Sequence, residues 1–134
     1  MPTAGSLRTE ERAEPSAHGQ FIGRWVSTNP RTTALAEATF SATGDGTLLR
    51  VSGVGEGGKL IDWGTTPAAF FVDGPGQAVP TKVRASYDFG FMEVLLHGWV
   101  KQGVLVFAVF SRFRDDTGRS NHFDREFFCR TSNL

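Results

Sequence analysis

Cysteine is almost missing from this 134-residue chain. Cys129 stands alone, so no internal disulfide can form, and a reducing, cytoplasmic setting is expected. Charge of one sign is missing too: fourteen Lys and Arg balance fourteen Asp and Glu, leaving no basic excess to hold a nucleic-acid backbone. No apolar run approaches the roughly 20 residues that a membrane helix needs, so no membrane partner is expected. Arg8, Glu10, Glu11, Arg12 and Glu14 occupy the stretch where a signal peptide would carry its apolar centre. Three scattered histidines (His18, His97, His122) and one cysteine give no zinc spacing. The glycine run 53–58 opens no helix and lacks the Lys-Ser/Thr ending of a phosphate loop. Neither a metal nor an organic cofactor is expected.

Phenylalanine and glycine are abundant instead. Twelve Phe, three Trp and sixteen Gly against two Met describe aromatic, turn-rich strands rather than helices. Residues 1–19 have no periodic apolar positions and read as a flexible tail, and residues 20–134 read as one β domain. Strand patterns run over Phe21–Thr28, Ala34–Thr43, Thr47–Val54, Leu60–Gly64, Ala68–Asp73, Thr81–Phe89, Phe91–Val100, Val104–Arg114 and His122–Arg130. Gly44-Asp45-Gly46 is a tight hairpin signal between the second and third. Strands of similar length joined by short loops predict an all-β, antiparallel up-and-down barrel of about eight strands. Such a barrel is filled by side chains or holds one small ligand.

Two stretches carry resemblances. Gly23-Arg24-Trp25 resembles the G-x-W opening of lipocalin-like (calycin) barrels, which implies that Trp25 closes the barrel base and that Arg130 packs across it. Asp62-Trp63-Gly64, Ala85–Phe91 and Arg112–Asn121 resemble the D-W-G, A-x-Y-D-F-G-F and R-F-x-D-x-[ST]-G-R-S-N pattern of a family of small bacterial all-β domains. Where members of that family often carry cysteines before the D-W-G, this chain has Gly57, Gly58 and Lys59, so no metal or disulfide role is inherited there. The resemblance implies a barrel and leaves the chemistry open.

Alternation along each strand sorts side chains between the two faces. Over Thr81–Phe89 the apolar set Val83, Ala85, Tyr87 and Phe89 is expected inside. Over His122–Arg130 the set Phe123, Arg125, Phe127 and Cys129 is expected inside, with Arg125 needing a carboxylate or a ligand anion; a one-residue slip would exchange the sets. If Gly90 leaves the parity unchanged, Tyr87, Glu93 and His97 line the same cavity as Arg125. These four are the candidate catalytic residues for acid–base chemistry. Trp63, Phe70, Phe89, Phe91, Phe107, Phe113 and Phe127 are the candidate ligand-binding aromatics. Strands 91–100 and 104–114 are apolar on both faces, which predicts an apolar outer patch and a homodimer. The functional expectation is a pocket for a small, largely apolar metabolite, with a cofactor-free cyclase or isomerase acting on a polyketide-like intermediate of bacterial specialised metabolism. A non-catalytic carrier and a protein-interaction module with a filled barrel are the alternatives.

Overall fold

The computed structural model describes residues 19–131, and all but the last residue of the expected 1–19 tail lies outside them. Eight antiparallel strands close into a barrel in chain order: β1 Gly23–Ser27, β2 Leu35–Thr43, β3 Gly46–Val54, β4 Leu60–Phe71, β5 Lys82–Asp88, β6 Met92–Lys101, β7 Val104–Phe113 and β8 His122–Arg130. A single 3-10 turn over Glu56–Gly58 is the helical content of the described residues, and none of their helices is long and apolar enough to cross a membrane. The two patterns at Leu60–Gly64 and Ala68–Asp73 fuse into one strand, β4. Gly64 (φ 84°) lets the chain bulge there instead of ending, with its N–H held by Asp62 Oδ1 at 2.9 Å.

Facing is passed from strand to strand through the turns. The Phe89 N–H donates to the Met92 carbonyl at 2.8 Å, closing a two-residue turn over Gly90 (φ 87°) and Phe91. Residues flanking a two-residue turn pair directly and share a face, so the inward set switches from odd numbers on β5 to even numbers on β6. Tyr87 therefore pairs with Val94, and Glu93 and His97 lie on the outer face. The turn at Gln102-Gly103 switches parity again, placing Leu105, Phe107, Val109 and Ser111 inside β7. Ser111 pairs with His122, so the even set of β8 (His122, Asp124, Glu126, Phe128) faces inward. This corrects the expectation for β8: Phe123, Arg125, Phe127 and Cys129 are exposed on the outside, while Phe128 is fully buried.

At the base, Phe21, Trp25, Phe40, Phe70, Phe107 and Phe128 fill the interior. The five phenylalanine rings meet edge-on or tilted at centroid distances of 5.1–6.2 Å. The Arg130 guanidinium lies 4.4 Å from the Trp25 ring and donates to the carbonyls of Gly19, Gln20 and Ile22, tying the chain entering β1 to the end of β8. Outside, β6–β8 carry the expected apolar patch, with Phe110 and Phe123 about half exposed and their centroids 5.0 Å apart.

Candidate functional site

The opposite end of the barrel is the mouth, where β1–β2, β3–β4, β5–β6 and β7–β8 connect. Strand β1 is only five residues long, so beyond Ser27 the wall between β8 and β2 is completed by the loop 28–34. Two contacts hold that loop to β8. The Thr28 N–H donates to the Phe127 carbonyl, and the Thr32 hydroxyl donates to the Glu126 carboxylate, lying 2.9 and 2.8 Å from its two oxygens. Glu126 is buried, and a single hydroxyl is its only donor among the described residues. Burial pushes its carboxyl above the usual range; the Thr32 bond opposes this and the neighbouring Asp124 charge adds to it.

Within the mouth lies a cavity of about 330 Å³. Leu35, Val54, Trp63, Met92 and Val109 make its apolar wall, and Thr33, Ser111, His122 and Asp124 make its polar side. Trp63 is fixed edge-on to Tyr87 and Phe89, with centroids at 5.4 and 5.2 Å. Its indole lies so close to Gly53 that an added methyl there would stand 2.7 Å from Nε1. The His122 Nε2 lies 3.4 Å from Asp124 Oδ2. Ser111 is only 8% exposed, and its hydroxyl makes no hydrogen bond among the described residues, so it is presented to the cavity unpartnered. Two other hollows lie on the outer surface. One, of about 660 Å³, sits between the 29–33 loop and the 3-10 turn, and the other, of about 480 Å³, lies over β5–β7.

The three motif stretches converge on this end. Asp62 pairs with Arg50, which holds its carboxyl down at about 2. Asp88 and Glu93 both bind Arg114. The Phe113 N–H donates to Asn121 Oδ1 at 2.8 Å, folding the β7–β8 loop back on itself. Within that loop Arg119, paired with Asp115, lies 4.4 Å from the Phe113 ring centroid and 5.4 Å from that of Phe91. These ties build the rim.

The structure does not bring the four candidate catalytic residues together. Tyr87 points inward as expected, but its hydroxyl donates to the Gly64 carbonyl at 2.8 Å and lies 3.3 Å from that of Leu49. Burial pushes its pKa up to about 12. Glu93 pairs with Arg112 and Arg114 on the outside, His97 packs edge-on to Trp99 there, and Arg125 is exposed. Of the candidate aromatics, Trp63 lines the cavity and Phe89 supports it. Phe91 is exposed on the rim, and Phe113 stands there 5.8 Å from the His122 ring. Phe70 and Phe107 belong to the filled base, and Phe127 is exposed outside. Ser111, His122, Asp124 and Glu126 were not among the candidates. The signal that could have found them was the two-residue turn at Gly90-Phe91, which reverses the inward parity of β6 and is passed on through the connections at 102–103 and 114–121 to β8.

No known protein family, curated protein or solved structure matches the chain.

Proposed function

We propose that this protein binds a small, largely apolar molecule in the mouth of its barrel, with the closed base serving as scaffold. The Ser111 side chain carries this reading: the residue is only 8% exposed, and its hydroxyl, without a protein partner among the described residues, reaches solvent only through a cavity with an apolar wall. A hydroxyl so placed bonds to water or to a ligand. The aromatic base leaves the ligand no room deeper in the barrel, and about 330 Å³ suits a one- or two-ring compound. A proton-transferring isomerase or cyclase is the second reading. It is favoured by the imidazole–carboxylate pair of His122 and Asp124 beside that hydroxyl, the equipment a cofactor-free proton transfer uses.

Calorimetric titration with tryptophol, a neutral two-ring probe, tests the first reading. Binding by the wild type and its loss in Met92→Trp, which fills the cavity, is the expected result. Undiminished binding in a folded Met92→Trp places the site elsewhere.

For assembly we propose an isologous dimer through the outer patch, where Leu95, Phe110 and Phe123 form one apolar row and Trp99, Val106 and Phe127 another. Sedimentation at micromolar concentration is expected to show a dimer that Phe110→Ser with Phe123→Ser converts to monomer. A monomeric wild type refutes it.

A further inference from the structure

We infer that the mouth selects a cationic ligand: a compact aromatic body carrying a protonated primary amine. This rests on the reading of the mouth as a small-molecule site and names the class it takes. Three observations lead there. First, the cavity lining contains no lysine or arginine, and its one carboxylate is Asp124. The nearby arginines are committed away from it, Arg112 and Arg114 to Glu93 and Asp88, and Arg119 to Asp115. Glu126, one inward position deeper on β8, adds a second carboxyl and no compensating cation among the described residues. Apart from the His122 imidazole, which lies against Asp124, an anionic ligand would therefore meet only like charge.

Second, Ser111 and Asp124 are diagonal neighbours, since Ser111 pairs with His122 and Val109 with Asp124. Diagonal cross-strand positions on one face lie about 7 Å apart, a gap that one ammonium group bridges by donating to both side chains. That contact satisfies the unpartnered hydroxyl and gives the half-exposed carboxylate a charge-assisted bond. Third, the wall facing this polar pair offers the Trp63 ring and the Met92 thioether, which accept an aromatic body. A cation beside an indole gains further from the ring's quadrupole.

The test uses three probes with one indole body: tryptamine (cation), tryptophol (neutral) and indole-3-propionate (anion). Each is titrated calorimetrically into the full chain at pH 8. Tryptamine is expected to bind about tenfold or more tightly than tryptophol, and indole-3-propionate most weakly. Asp124→Asn, a change at a half-exposed side chain, is expected to bring the ratio of tryptamine to tryptophol affinity down to about one. Met92→Trp should abolish both. Equal affinities for tryptamine and tryptophol, or a tryptamine advantage that survives Asp124→Asn, overturn the ligand class alone. A tryptamine advantage that survives Met92→Trp overturns it too, by showing attraction to another surface. Failure of all three probes to bind the wild type overturns the mouth reading together with the inference.

Discussion

Replacing Gly53 with alanine tests whether Trp63 is held where the mouth needs it. The added methyl carbon would lie 2.7 Å from Trp63 Nε1 and 3.0 and 3.1 Å from two further atoms of the ring. Ordinary carbon contact begins near about 3.5 Å, so the indole must retreat by about 0.8 Å. Tyr87 and Phe89 stand against it on one side, and the free direction is into the cavity. Overpacking of this kind costs about 1–3 kcal/mol, offset by about 0.4–1 kcal/mol from stiffening the unfolded chain. The net loss expected is about 1–2 kcal/mol, read as a lower urea midpoint at unchanged slope, together with weaker tryptophol binding. Gly98→Ala is the control. There the methyl meets Phe107 at 2.7 and 2.8 Å and Val83 at 3.0 Å, in the base, so stability should fall similarly while binding stays as in wild type. A Gly53→Ala protein with wild-type stability and binding, or a Gly98→Ala protein equally impaired in binding, would refute the reasoning.

Tyr87→Phe should cost about 0.5–1.5 kcal/mol by leaving the Gly64 carbonyl without its donor, and should not change probe affinity; a loss of affinity without loss of stability would return Tyr87 to the site. Glu126 holds its proton more tightly when folded than when unfolded, so its contribution to stability is present below about pH 4.5 and declines as pH rises through the raised folded value. Glu126→Gln, which keeps the acceptor for Thr32, should therefore gain on the wild type as pH rises above about 4.5 in parallel urea titrations, and a constant difference would count against the burial argument. Asp62, Asp73, Asp88 and Asp115 are held low by their donors and act in the opposite sense, with stability lost as pH falls below the ordinary 3.8, through about 2 for Asp62. Arg130→Met should lose about 1–3 kcal/mol, because three carbonyls lose their donor and Trp25 its cation, and Arg130→Lys should recover only part; equal stability of all three proteins would refute the tie at the base.

Much of the architecture is written in local order. Turn residues at Gly44-Asp45 and Gly103, and aromatic or β-branched residues between them, determine where strands run. Each such choice is settled within a few residues of backbone geometry. The inward face of β5 was legible for the same reason, since Lys82, Arg84, Ser86 and Asp88 leave only the odd set able to be buried. Trp25 and Arg130 were legible through the resemblance they carry, and they meet at the base as it implied. The site was not legible. Alternation divides β8 into two sets and says nothing about which one points inward, and its more apolar set, with Phe123 and Phe127, turned out to lie on the outer patch. Closure decides that question. Each antiparallel pair hands its facing to the next strand, so the turn at Gly90-Phe91 puts Glu93 and His97 outside and, three strands on, Asp124 and Glu126 inside. That outcome belongs to the closed barrel because burial is collective: a residue faces inward when its neighbours in the ladder do, whatever its own polarity would favour.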